Sequence, residues 1–175
     1  VARQTLRQKY IKADVGITGA NFILPDLGAV VVTENEGNAR LTMTFPKVHI
    51  VLVGIEKVIP SYNDLNLFLP LLATFGTGQQ VTVYNTIITG PRQENEVDGP
   101  EEMIVILMDN GRSTLLAEAE QREALYCIRC GACLNACPIY KNIGGFAYQT
   151  TYSGPIGSVI TPHFKGMEQF KHLSY

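Results

Sequence analysis

Apolar positions along this chain switch between a helical and a strand-like period. Leu6, Tyr10 and Ala13 fall at helical spacing and predict a helix from the first residue to about residue 13. Val15-Gly-Ile-Thr-Gly-Ala20 reads as the end of that helix and a lead into a strand, Asn21–Leu24. Pro25-Asp-Leu-Gly28 places proline and glycine where a tight turn wants them, and Ala29–Thr33 follows as the second strand of a hairpin. A polar run, Glu34–Asn38, separates this hairpin from the short segment Leu41–Phe45 and from a buried-looking strand, Val48–Val53. Ser61 with Asp64 three positions later caps a helix whose stripe is Leu65, Phe68, Leu72 and Phe75, with a kink expected at Pro70. Val81–Ile88 and Met103–Met108 read as strands, and Ser113 as the cap of a helix reaching Tyr126. Beyond Pro138 the periodicity fades into a glycine- and proline-rich stretch.

Strands alternating with helices predict a three-layer α/β body. The change of pattern places a boundary near residue 121, giving an α/β domain over 1–120 and a separate segment over 121–175. Among 175 residues, 46% are apolar but only 17% charged, so part of the surface is expected to be covered by a partner or by further sequence. Fourteen basic and sixteen acidic side chains give a net charge of -2, which excludes a general attraction for nucleic acid. The longest apolar stretches are broken by His49, Asn66 and Pro70 and fall short of the ~20 residues of a membrane span. The first residues resemble no secretory signal, so a cytoplasmic, reducing compartment is expected.

All four cysteines lie in one run, Cys127-Ile-Arg-Cys130-Gly-Ala-Cys133-Leu-Asn-Ala-Cys137-Pro138. Disulfides would close loops of a few residues for little entropic gain, and a zinc ribbon separates its C-x2-C pairs by roughly 15 to 20 residues. The spacing C-x2-C-x2-C-x3-C-P instead suits a 4Fe-4S cube: Cys127, Cys130 and Cys133 reach three corners, and Cys137 ligates a second cube. Gly131 removes a side chain where backbone must approach sulfur. Tyr126, Ile128 and Ile139 are expected to pack around the cluster, and Arg129 reads as a solvated side chain, a charge that raises the potential, or a docking contact. Two cubes require four more thiolates than this sequence contains. With a first residue that reads as the inside of a running helix, this makes the sequence look like part of a longer protein.

Gly16-Ile-Thr-Gly-Ala20, Glu34–Asn38, His49–Lys57, Thr89-Gly-Pro-Arg92, Asp98–Glu102 and Asp109-Asn-Gly-Arg112 together resemble the LUD domain of bacterial lactate-utilisation proteins. With the cysteine run behind it, the chain is similar to the iron-sulfur subunits of L-lactate-utilisation complexes. Gly154-Pro-Ile-Gly157 also resembles the segment between the two cysteine runs of helical ferredoxins. The resemblance implies a NagB/RpiA/CoA-transferase-like α/β body followed by part of a helical-ferredoxin module. It implies two 4Fe-4S clusters in the full-length protein, and partner subunits in a cytoplasmic complex that oxidises L-lactate to pyruvate.

Two roles are open for the body. It is scaffold and docking surface for an electron relay, or it binds a small carboxylate or phosphate itself, as enzyme or sensor. Under the second reading the loop after Thr33 supplies Asn38 and Arg40 as donors for an anion, with Glu34 and Glu36 opposing it. His49, inside a strand, is a core histidine or a proton acceptor. Gly16-x-x-Gly19 precedes a strand rather than opening a helix, so no nicotinamide site is expected.

Overall fold

A computed structural model describes residues 2–174. Its elements run α1 (Ala2–Lys12), β1 (Val15–Thr18), β2 (Phe22–Leu24), β3 (Ala29–Glu34), α2 (Asn38–Thr44), β4 (Val48–Gly54), α3 (Leu65–Thr77), β5 (Tyr84–Ile88), β6 (Glu102–Met108), α4 (Arg112–Ala117), α5 (Ala132–Ala136), α6 (Pro138–Ile143), α7 (Gly154–Lys165) and α8 (Met167–Phe170). Backbone contacts divide the described chain into two units. The first holds residues up to Asn66 with Thr82–Met108, and the second holds Leu67–Val81 with the residues from Asp109 onward.

The first unit is mixed α/β, as its alternating pattern predicts. Its strands form two three-stranded sheets, one parallel in the order β1-β4-β6 and one antiparallel in the order β2-β3-β5. The hairpin has the expected register, Leu24 opposite Ala29 and Phe22 opposite Val31, around the Pro25–Gly28 turn. Val30 of the antiparallel sheet packs with Val51 and Val53 of the parallel one, so the core lies between the two sheets.

Val15–Thr18 is a parallel strand beside β4 and not the end of a helix. Gly16 within it and Gly19 just after it mimic a helix stop, but Gly16 is needed because a Cβ there would run into the Thr42 carbonyl of α2. The segment around Leu41 is likewise helical. On one face of the parallel sheet Val15, Ile17, Leu52, Ile104 and Ile106 lie side by side and exposed. Parallel sheets are ordinarily covered on both faces, and this one leaves an apolar face open.

The capping box before α3 is formed. Ser61 Oγ accepts the Asn63 amide at 3.2 Å, and the Asp64 carboxylate accepts the Ser61 amide at 3.1 Å. Pro70 sits in α3 without interrupting it. The buried stripe of that helix is Leu65, Leu72 and Ala73; Phe75, expected on it, is 66% exposed.

In the second unit the helix expected from Ser113 to Tyr126 stops at Ala117, and a 3-10 turn, Arg122–Tyr126, leads into the cysteines. Its N-cap is Gly111 rather than Ser113. The Ser113 hydroxyl and amide both donate to the Asp109 carboxylate, at 2.6 and 2.8 Å, and these bonds hold that carboxyl below its usual range. The stretch read as irregular is largely helical. In α7, proline stands at the start, where the absent amide costs nothing, and again at Pro162 inside the helix. No helix among the described residues is long and apolar enough to cross a membrane.

The capping box gives a direct test. Ser61→Ala removes one side of it and should destabilise the chain by about 1 kcal/mol, read as a lower urea midpoint at unchanged slope.

Candidate metal centre

The cysteine run is shaped by two left-handed residues. Arg129 has φ 64° and Gly131 φ 79°, so the chain reverses twice before entering α5. A Cβ on Gly131 would meet only a Leu134 methyl at 4.0 Å, so within the protein itself this glycine answers to its left-handed backbone conformation. The approach that does require a glycine is elsewhere. A Cβ on Gly76, in the last turn of α3, would collide with the Cys130 carbonyl oxygen. Asn135 Nδ2 donates to the Phe75 and Gly76 carbonyls, each at 3.0 Å, and so satisfies two acceptors that a helix end leaves open. The cysteine loop is thereby clamped to α3 from both sides of Gly131.

Cys127, Cys130 and Cys133 line one concave cavity of ≈ 530 Å³, together with Ile128, Leu134, Tyr152 and Ile156. Cys137 stands apart as the N-cap of α6, where its sulfur accepts the Tyr140 amide at 3.4 Å and Pro138 opens the helix. All four are half-buried free thiols. Among the described residues no three His, Cys, Asp or Glu side chains converge on a point that would hold a single metal ion. A four-iron cube takes its thiolates at separate corners, so a cavity wall carrying three of them fits a cluster better than it fits a lone ion.

Arg129 is neither solvated nor a free docking contact. Its guanidinium donates to the Cys127 carbonyl at 3.2 Å and lies 4.9 Å from the centre of the Tyr152 ring. A fixed positive charge is thus held beside the thiols. Ile128 and Tyr126 both line the cavity, Tyr126 with 78% of its surface exposed, whereas Ile139, 56% exposed, does not line it. Tyr152, Leu134, Gly76 and Asn135 escaped the sequence reading. Gly154 carried the one available signal, since a Cβ there would strike Leu134 of the cysteine helix.

In the first unit Asn38 and Arg40 face a common cavity, and His49 does not join them. His49 is fully buried, with Nε2 2.8 Å from the Thr18 hydroxyl. Glu34 does not oppose an anion: its carboxylate accepts the Ala39 and Arg40 amides, both at 2.7 Å, at the start of α2. Although β3 belongs to the antiparallel sheet, Asn38 and Ala39 beyond it border the carboxyl end of β1, sharing a cavity with Thr18, Gly19 and Ala20.

The geometry defines a protein with an α/β unit and a second unit that carries a cysteine-lined cavity. Comparison with known proteins makes this specific: the LUD domain matches residues 1–108 and the 4Fe-4S dicluster domain residues 123–172, so the chain belongs to the LUD domain family and carries a 4Fe-4S dicluster domain. It is 46% identical over 174 residues to lactate utilization protein B of Bacillus subtilis (strain 168), covering 99% of this chain and 36% of that protein. The corresponding protein of Anoxybacillus flavithermus is 47% identical over 174 residues, 99% of this chain and 37% of that one. An Escherichia coli (strain K12) protein named uncharacterized electron transport protein YkgF is 47% identical over 173 residues, again 99% of this chain and 36% of that one. The chain thus spans about a third of the length of these curated relatives. A crystal structure of a DUF162 family protein from Deinococcus radiodurans aligns at TM-score 0.41 and 18% identity, over 58% of this chain and 57% of that one.

Two outcomes follow from this geometry. Gly76→Ala should push the Cys130 carbonyl off α3, costing about 1–3 kcal/mol and lowering the iron bound after anaerobic reconstitution, while the exposed control Thr74→Ala leaves iron content unchanged. Burial pushes the His49 imidazole below its ordinary value of 6.5. Below that pH the unfolded chain binds a proton that the folded unit refuses, so stability falls as pH drops from 6.5 towards the lowered folded value and is unaffected above. Denaturation curves between about pH 7.5 and about pH 5 should lose this component in His49→Gln.

Proposed function

We propose that this chain is the iron-sulfur part of an electron-transfer protein serving the oxidation of L-lactate to pyruvate, with the chemistry on lactate carried out elsewhere in a multi-subunit complex. The observation that carries the reading is three cysteines of a C-x2-C-x2-C-x3-C-P run on one cavity wall, with the fourth apart, inside a 4Fe-4S dicluster domain. The names of the relatives, lactate utilization protein B and electron transport protein, support the pathway and the role.

In this reading Cys127, Cys130 and Cys133 hold three corners of one cube and Cys137 binds the second. A 4Fe-4S cluster, when bound, supplies one-electron transfer. The chain's own residues set its surroundings. Ile128, Leu134 and Ile156 keep water from the cavity, Tyr152 and the Cys127 carbonyl fix the Arg129 charge beside it, and the Tyr140 amide donates to the Cys137 sulfur. Positive charge and N–H donors stabilise the reduced state and raise the potential. Two cubes require eight thiolates, and the other four belong to the rest of the longer protein. The free thiols suit a reducing, cytoplasmic setting.

The test uses the full-length protein, purified anaerobically. It should carry about eight irons and equal sulfide, and Cys130→Ser should abolish lactate-dependent electron transfer in the assembled complex while leaving the α/β unit folded by circular dichroism. Four irons, or zinc, would reject the two-cluster assignment.

A further inference from the structure

A wide cavity on the α/β unit is lined by none of the cysteines. It measures ≈ 780 Å³, within the roughly 300–1,000 Å³ of small-molecule sites, and is lined by α1, the start of α2 and β5. Arg3 and Arg7, one turn apart on α1, face it together with Arg40, whose guanidinium lies 5.0 Å from the centre of the Tyr84 ring. Among the described residues none of these three arginines forms an ion pair. Like charges one turn apart on a helix repel, so Arg3 and Arg7 on one wall are unfavourable until an anion lies between them. The acid on the same wall is Glu36, whose carboxylate accepts Asn38 Nδ2 at 3.1 Å.

A second cavity, of ≈ 430 Å³, adjoins the first through the shared residues Tyr10 and Asn38 and lies over Thr18, Gly19 and Ala20. This is the carboxyl end of β1, a parallel strand, and so the position at which open α/β sheets bind ligands. Thr18 presents its hydroxyl there, backed by fully buried His49 at 2.8 Å. His49 Nδ1 has no hydrogen-bond partner among the described residues. An orphaned buried N–H is rarer than an under-satisfied acceptor, which assigns the proton to Nε2. Nε2–H then donates to Thr18 Oγ1, and the hydroxyl proton is left to donate into the cavity.

We propose that the α/β unit binds a phosphorylated small molecule, its phosphate held by Arg3, Arg7 and Arg40 and an oxygen of its body accepting a hydrogen bond from Thr18, which His49 positions. Three guanidinium groups against one carboxylate leave a charge of about +2, which matches a phosphate dianion and exceeds what a monocarboxylate such as lactate neutralises. Tyr10 and Tyr84 give the body of the ligand aromatic contact. The site involves no cysteine and stands or falls independently of the clusters.

Full-length, cluster-loaded protein titrated anaerobically by calorimetry at constant ionic strength tests this. Glycerol 3-phosphate should saturate the unit and bind at least about tenfold tighter than L-lactate, and Arg7→Gln and Arg40→Gln should each weaken it about tenfold, the loss of one charge-assisted contact. Thr18→Val should weaken glycerol 3-phosphate severalfold and leave inorganic phosphate unchanged, a split that simple charge attraction would not produce. Nitrogen-15 spectra should find the His49 proton on Nε2. Failure of both phosphates to saturate, or equal binding by the arginine variants, overturns the site. A proton on Nδ1, or equal loss of both phosphates in Thr18→Val, overturns the role given to Thr18 and His49.

Discussion

The cysteine segment depends on how one helix ends. The last carbonyls of an α-helix have no partner within it, and an end enclosed by other chain needs them answered. Here Asn135 answers two, and Gly76 offers a side-chain-free surface on which the Cys130 carbonyl rests. The positions of Cys130 and Cys133 are set by that contact, since both left-handed residues of the loop lie within a few residues of it. The contact is polar and steric, with little apolar area. It specifies where the loop lies more than it stabilises the unit.

Motifs with a local cause were legible. The hairpin, the Ser61–Asp64 box and the cysteine spacing each depend on residues within about ten positions of one another, so turn chemistry, capping and ligand geometry leave their mark in sequence. What escaped reading depends on distant partners. β1 carries a glycine because α2 crosses it at Gly16, and nothing local distinguishes that from a helix stop. Phe75 looked like the fourth member of an apolar stripe, yet the neighbouring Gly76 faces the chain because of a loop more than fifty residues on. Arg129 read as one of three alternatives until Tyr152 and the Cys127 carbonyl were seen to hold it.

Two different kinds of surface result. In the second unit the exceptional residues are soft donors and a fixed cation, arranged for a change of charge without a change of bonds. In the first they are arginines outnumbering the one acid beside them and a hydroxyl on a buried imidazole, the set proposed above to hold a molecule that arrives and departs. The open apolar face of the parallel sheet belongs to neither.

The second unit is assembled from two stretches of chain, Leu67–Val81 and the residues from Asp109 onward, and strands β5 and β6 of the first unit lie between them. The Asn135 bonds to Phe75 and Gly76 span 60 and 59 residues, so making them closes a long loop, and contacts of high sequence separation form late. On the ribosome α3 emerges well before its cysteines and waits for them with its last carbonyls in water. The thiols are therefore synthesised after the segment on which they dock, and their exposure to oxidants lasts at least until that contact forms. Metal insertion has that same interval in which to find the loop open.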